Sequence, residues 1–295
     1  MDKLRAMEVF VAVADAGSLS QAARSAGMSA PAVTRALNGL ESRLGVRLFT
    51  RTTRSLRLTD AGTLYLARCR EVLAAVVAAE EEAVGIHGQP SGRLRITAPT
   101  RFGQLHVVPV ITSFLDRYPE VSVEAVFLDR VTNLVEEGFD VAVRIGPLPD
   151  SRLIATRVGA VRRIVCASPD YLARRGRPAT VADLANHRII AATPMTAADE
   201  WSFGAAGAVA LTARLRVSTV DAAIAAARAG WGLTRVLSYQ IADDLAAGTL
   251  ECVLEGADTM ERPVHLMRAD GAAASAKVRA FVDHARGPLA ALLAR

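Results

Sequence analysis

The chain has 295 residues and a net charge of +5, a length that holds two or more cores. Its three cysteines, Cys69, Cys166 and Cys252, are odd in number and widely spaced, which excludes a disulfide scaffold or cysteine metal cluster and fits a reduced, cytoplasmic setting. Charge is uneven: residues 1–60 hold nine Lys and Arg against five acids, the remainder 26 against 25, so a polyanionic partner is expected at the N-terminus. The first element predicted is a helix over Asp2–Ala16, with Leu4, Met7, Val11 and Ala14 on one face and Gly17 as its stop. Glu8 and Asp15 interrupt it, so it does not read as a signal peptide, and no later run approaches membrane-spanning length.

Two short helices joined by a tight turn follow. Ser18 with Gln21 three residues later reads as a capping box, and Gly27 as the stop. Ser29 is a second N-cap, with Pro31 in the first turn of a helix running to about Leu44. Val33, Leu37, Leu40 and Leu44 recur at three- and four-residue spacing and form its buried stripe. Ser29, Ala30, Pro31, Thr34, Arg35 and Asn38 are then left at the exposed N-terminal half, where slim side chains and one Arg suit the DNA major groove. An ordinary helical hairpin has the same pattern, so the next stretch decides. Val46–Phe49 and Leu56–Leu58 alternate like the arms of a hairpin whose tip carries Arg51 and Arg54. Arginines at a hairpin tip suit phosphate or minor-groove contacts, or else lie solvated at the surface.

From Ser18 to Gly62 the chain resembles the N-terminal domain of the LysR-type transcriptional regulators. The resemblance rests on Ala23, Gly27 and Val33, on Leu40-Glu41 and Leu44 through Arg51, and on Leu58-Thr59-Asp60-Ala61-Gly62. It implies a winged helix-turn-helix over residues 1–59 that binds double-stranded DNA. Ala30 stands where many relatives carry Gln, so a base contact through that amide is not expected.

Thr59 or Asp60 can cap a long helix reaching about His87. Tyr65, Cys69, Val72, Val76, Ala79, Ala83 and Ile86 are spaced alternately by four and three, a narrow seam that wants another helix. It meets either a second copy of the chain or its own body, and Cys69 on it reads as packing. Gly85, Gly88, Gln89, Pro90, Ser91 and Gly92 form a linker, which sets a 60–88 linker helix apart from a domain over 91–295.

Strands are predicted at 94–97, 121–128, 140–145, 163–167, 188–191, 215–218, 233–236 and 264–267. Helices are predicted at 107–118, 131–137, from 168, 219–230, 238–247 and 275–293. Alternating strands and helices imply a mainly parallel sheet with a ligand crevice at the strands' carboxyl ends, where Thr100, Arg101, Phe102 and Arg144 would sit. Thr100 and Thr219 either offer helix N-termini to an anionic ligand or serve as caps alone. Arg101 and Arg144 either meet a carboxylate ligand or pair with Asp129 or Asp140. Trp201 and Phe203 read as lobe packing rather than a stacking platform, or as lining of the cleft. No G-x-S-x-G, H-E-x-x-H or phosphate-cradling loop occurs, and the five histidines are scattered, so neither catalysis, a metal nor a cofactor is expected.

The family resemblance continues here through Pro109, Phe114, Tyr118-Pro119, Glu137-Gly138, Asp140, Arg144-Ile145-Gly146, Ser168-Pro169, Tyr171-Leu172, Gly230-Trp231-Gly232, Gly248 and Phe281. It implies an α+β multidomain chain ending in a two-lobed, periplasmic-binding-protein-like effector domain. Lobe I would comprise 91–161 and 267–295, and lobe II 162–266. Gly232-Leu233-Thr234-Arg235 departs from the commoner apolar run ending in Pro, which leaves Arg235 as a ligand contact or, by a slight preference, a salt-bridge partner. The resemblance further implies an unknown small-molecule effector, a dimer that assembles as a dimer of dimers, and RNA polymerase as a partner. Two rival readings are a non-specific architectural DNA-binding protein and a solute-binding protein with a helical appendage.

Overall fold

The computed structural model describes residues 2–51, 56–83, 89–148, 153–192, 200–204, 207–268 and 275–294. Three helices open the chain: α1 (Lys3–Ala16), α2 (Leu19–Ser25) and α3 (Ala30–Leu44). A two-stranded antiparallel hairpin follows, β1 (Phe49–Arg51) with β2 (Leu56–Leu58). Phe10, Val13, Val33, Leu37, Leu40, Leu48 and Phe49 make their common core, each at most 2% exposed. Two sequence expectations fail here. Ser18 caps α2 through its backbone only, because its hydroxyl turns to Ser20 Oγ at 3.0 Å and no capping box forms. Leu44 is 40% exposed, since the core ends at Leu40 and the last turn of α3 projects beyond it.

The linker helix α4 (Asp60–Ala83) starts where Thr59 Oγ1 accepts the Gly62 N–H at 3.0 Å. Its 24 residues span about 36 Å. Arg70 on α4 donates both to Asp15 of α1 and to the carbonyl of Glu136, so one side chain touches the N-terminal domain and the C-terminal one.

The C-terminal domain is organised by a nine-stranded sheet. In lobe I the parallel strands β3 (Gly92–Ala98), β4 (Val121–Phe127) and β5 (Val141–Ile145) run beside β13 (Glu261–Arg268). α5 (Thr100–Phe102), a π-turn at Gly103–Val107 and α6 (Val108–Arg117) form one bent helical passage, and α7 (Leu134–Glu137) is a single turn. β6 (Ile154–Ala167) then runs through both lobes, pairing with β13 in one and with β11 (Leu233–Leu237) and β12 (Glu251–Val253) in the other. Lobe II is completed by α8 (Pro169–Arg175), β7 (Ile189–Ala192), the hairpin β8 (Glu200–Ser202) and β9 (Ala208–Ala210), β10 (Ala213–Val217), α9 (Val220–Arg228) and α10 (Ala242–Ala247). The terminal helix α11 (Ala276–Leu293) returns to lobe I, with Val278, Phe281, Ala285 and Leu289 in its core.

The sequence places the first hinge strand at 163–167, whereas β6 begins nine residues earlier. Residues 154–162 alternate exposed and covered positions and include Arg157 and Arg162, so they lack the apolar run that marks a core strand. Gly159 lies on this stretch because α11 packs against it: a Cβ there would come within 2.5 Å of Leu293 Cβ. Cys166 and Cys252, distant in sequence, stand opposite each other in the β6–β12 ladder, and all three cysteines are free thiols.

Candidate nucleic-acid interface and ligand cleft

Helix α3 is set for an approach from outside by its cap. Ser29 Oγ accepts the Ala32 N–H at 3.3 Å and Pro31 sits in the first turn, leaving Ser29, Ala30, Pro31, Arg35 and Asn38 exposed. Thr34 is half-buried and donates its hydroxyl to the Ala30 carbonyl at 3.0 Å, so that hydroxyl is already engaged within its own helix. Glu41, on the same helix, accepts the backbone N–H groups of Leu48 at 2.8 Å and Phe49 at 3.1 Å. This carboxylate fastens the hairpin to α3 and fixes the angle between them. Gly62 tightens the same junction, since a Cβ there would lie 2.0 Å from the Leu48 carbonyl oxygen. The Arg51 side chain and all of Arg54 lie outside the described residues.

The helix seam divides. Tyr65 packs against Phe10 with the rings tilted and 5.3 Å between their centroids, and Cys69 is 1% exposed in the same cluster. Both therefore serve the N-terminal core of their own chain, a correction to their expected place on a dimer seam: the first turns of α4 must cover α1 before anything else can pack there. Val72 is 41% exposed and Val76 half-buried, so the seam opens outward from this point. Leu64, 74% exposed, is an apolar residue off the expected spacing. The side chains of Ala79 and Ala83, and all of Ile86, lie outside the described residues.

In the C-terminal domain the parallel strands aim their carboxyl ends into a cleft between the lobes. At its mouth the Thr100 backbone N–H donates to Asp129 Oδ1 at 2.9 Å, and Thr219 caps α9 by accepting the Ala222 N–H at 3.3 Å. Arg101 spans the cleft: its guanidinium pairs with Asp221 of α9, and its Nε donates to the Gln240 carbonyl at 3.0 Å. The expected alternative partners are taken, Asp129 by Thr100 and Asp140 by the Arg95 N–H at 2.7 Å. Phe102 is fully buried, edge-on to His106 at 5.0 Å and Tyr239 at 5.1 Å, and so is core rather than cleft lining. Burial pulls His106 below the usual imidazole range and pushes the Tyr239 phenol up to about 12. Arg144 donates to the Thr132 carbonyl at 3.4 Å, and burial lowers its pKa. Arg235 donates to the Ser202 carbonyl at 2.9 Å and lies over Trp201 and Phe203, 5.0 and 5.4 Å from their ring centroids. No carboxylate among the described residues pairs with it, so the expected salt bridge is replaced by aromatic stacking. Trp201 and Phe203 are buried packing residues, 7% and 2% exposed.

A capped helix displayed beside a fastened hairpin, with a two-lobed domain behind it, has clear relatives. Residues 4–63 match the family model described as bacterial regulatory helix-turn-helix protein, lysR family, and residues 87–289 match the LysR substrate binding domain. The chain belongs to the LysR family of transcriptional regulators. It is 31% identical over 280 residues to the HTH-type transcriptional regulator CrgA of Neisseria meningitidis serogroup C, a match covering 94% of each chain. It is 32% identical over 288 residues to PtxR of Pseudomonas aeruginosa, covering 96% of this chain and 92% of that one. The solved structure of CrgA from Neisseria meningitidis aligns over 98% of this chain and 99% of its own, with a TM-score of 0.63 and 30% identity. The full-length structure of AphB, a virulence activator of Vibrio cholerae, aligns over 97% and 99%, with a TM-score of 0.62 and 27% identity.

This regulator is thus a DNA-binding protein with a helix-turn-helix domain and an effector-binding domain of the LysR type. No helix among the described residues is long and apolar enough to cross a membrane. Two positioning residues escaped sequence reasoning. Glu41 was visible only as part of the family pattern, because its partners lie seven and eight residues away and outside its helix. Arg70 has partners 55 and 66 residues distant, beyond any local signal.

Proposed function

We propose that this regulator binds a two-fold operator as a dimer, reading base edges with Arg35 and Asn38 and gripping phosphate with Arg51 and Arg54. The observation that carries this reading is the exposed, N-capped face of α3 held at a fixed angle to the basic hairpin by Glu41. Val72 and Val76 are the positions from which α4 meets its copy, and two such dimers assemble into a tetramer that engages RNA polymerase in the cytoplasm. A small molecule held between the lobes by Thr100, Arg144 and Thr219 shifts the population of two arrangements, and it acts only through its differential affinity for them. The chain works by binding, without turnover, metal or cofactor.

The test is binding of the purified full-length protein to DNA immediately upstream of its own coding region, across a salt series, for wild type, Arg35→Ala and Thr34→Ala. Affinity should fall steeply with salt, and Arg35→Ala should lose about 1–3 kcal/mol of discrimination between specific and unrelated DNA. Equal affinity for all sequences in every variant would instead indicate an architectural protein, and no binding at all would refute the assignment of α3.

A further inference from the structure

Helix α7 is one turn, Leu134–Glu137, and its two ends face different parts of the chain. At its N-terminus Asn133 Oδ1 accepts the Val135 N–H at 3.2 Å, Glu137 Oε1 accepts the Asn133 N–H at 3.2 Å, and Arg130 grips both Glu137 oxygens at 2.8 and 2.6 Å. At its C-terminus Arg95 Nη1 donates to the Glu137 and Gly138 carbonyls at 2.8 and 2.9 Å, while Arg70 of the linker helix donates to the Glu136 carbonyl. Arg70 carries the contact onward, because its guanidinium also pairs with Asp15 in the last turn of α1, and its side chain is only 15% exposed. Gly138 closes the joint. Its φ is 69°, and a Cβ there would lie 2.8 Å from Arg70 Nε and 2.9 Å from Arg95 Nη1.

The N-terminal side of α7 leads into the cleft. Residues 129–133 join β4 to α7 without regular structure, and they are tied to the cleft by the Thr100 N–H, which donates to Asp129 Oδ1 at 2.9 Å, and by Arg144, which donates to the Thr132 carbonyl at 3.4 Å. These are the two lobe I groups assigned above to the ligand. A ligand oxygen that takes them competes with the loop, since the Thr100 N–H is a single donor and the Arg144 bond is already long. The loop has little in reserve: Thr132 Oγ1 is buried without a hydrogen-bond partner among the described residues, and Val131 is 90% exposed. We propose that Arg70 is a positioning residue that latches the DNA-binding domain to the effector domain, and that a ligand between the lobes opens this latch by taking Thr100 and Arg144 from the loop that steadies α7. Arg70 bonds a main-chain carbonyl, so it follows where α7 sits rather than which side chain it bears. When α7 loosens, Asp15 and the end of α1 lose their tie, and α1 shares its core with α3. The proposal rests on the regulator reading and names a contact by which the two arrangements differ.

The test is hydrogen exchange in the full-length protein without DNA or ligand, with Asp129→Ala standing in for a ligand that has taken the Thr100 N–H from the loop. Exchange is read in the 11–17 peptide of α1 and the 133–139 peptide of α7. Asp129→Ala should speed both peptides about threefold to thirtyfold, and Arg70→Gln should speed the α1 peptide by a similar factor. In the double variant the α1 peptide should exchange no faster than in Arg70→Gln alone, while the α7 peptide still responds to Asp129→Ala. A contact that served stability alone would be indifferent to the cleft, and the two effects on α1 would then multiply. Asp15, 45% exposed, gives a second way to open the latch, so Asp15→Asn in place of Arg70→Gln should show the same loss of response. The proposal is overturned if Asp129→Ala leaves the α1 peptide at the wild-type rate, or if it speeds that peptide equally with and without Arg70. The exchange rates decide the latch whether or not the wild type binds its upstream DNA, and absence of that binding refutes the assignment of α3 alone.

Discussion

Glu41 offers the sharpest test of how the DNA-binding domain is built. Its Oε1 accepts two N–H groups, from Leu48 and Phe49, whose side chains are 1% and 2% exposed. Replacing it by Ala leaves two part-buried donors to find water in a junction that is otherwise packed. A hydrogen bond to a charged acceptor contributes about 1.5–3 kcal/mol, and two that share one oxygen sum to less than twice that, so Glu41→Ala should cost about 2–4 kcal/mol. In a domain of this size that lowers the melting temperature by roughly 10–30 °C. Glu41→Gln keeps the acceptor and loses only the charge, and should cost about 1 kcal/mol. Both tryptophans, Trp201 and Trp231, lie in the C-terminal domain, so fluorescence follows that domain while hydrogen exchange of the 46–50 peptide follows the hairpin junction. Glu41→Ala should accelerate exchange at Leu48 and Phe49, weaken specific and non-specific DNA alike, and leave the fluorescence transition in place. Wild-type exchange at those two amides in the Ala variant would refute the claim that this carboxylate holds the hairpin.

Three further outcomes are expected. Gly62→Ala drives a Cβ to 2.0 Å from the Leu48 carbonyl, backbone that has no rotamer to yield, and should cost about 1–3 kcal/mol or more in the N-terminal domain, read as loss of its melting transition with the fluorescence transition unchanged. Arg101→Gln and Asp221→Asn break the same tie across the cleft, so a double-mutant cycle on the C-terminal transition should show coupling of about 1 kcal/mol or less, small because Asp221 is 45% exposed; strictly additive effects would contradict the pairing. The Arg228 guanidinium, hydrogen-bonded to both oxygens of Asp244, holds that carboxyl below its ordinary value of 3.8. A depressed acid stabilises the fold above its unfolded value and loses that contribution as pH falls through the lower folded value. The stability gap between wild type and Arg228→Gln, read as urea midpoints from pH 7 to pH 2, should therefore stay constant down to about pH 4 and close below it; a gap that persists at the lowest pH would refute it.

Periodicity and caps carried much of this fold into view. The α3 stripe, its Ser29 cap and the alternating strands of the C-terminal domain are local patterns, and a local pattern survives in one dimension. What stayed hidden is nonlocal or brief. β8, β9 and β12 have three residues each, too few for alternation to register, and the first half of β6 mixes arginines with apolar residues. The seam on α4 shows the limit most clearly: a four-three spacing announces that Tyr65 and Cys69 are covered, but not whether Phe10 of the same chain or a second copy covers them. Arg235 shows another, since a guanidinium satisfied by two rings and a carbonyl leaves no acidic residue to find in the sequence. The shared face of Arg163, Arg235 and Arg262 likewise exists only because strands about 72 and 99 residues further along the chain pair with the two edges of β6.

β6 carries 14 residues without interruption from one lobe into the other, hydrogen-bonded on its way to β13, β11 and β12. A hinge made of slack loop would let the lobes swing freely; a hinge made of paired strand behaves as a torsion bar. Closing the cleft then winds the ribbon, and opening it unwinds it, with every ladder bond resisting in proportion to the angle. Signals through such an element are small rotations delivered stiffly, and the amides of β6 should be among the last in the chain to exchange with solvent.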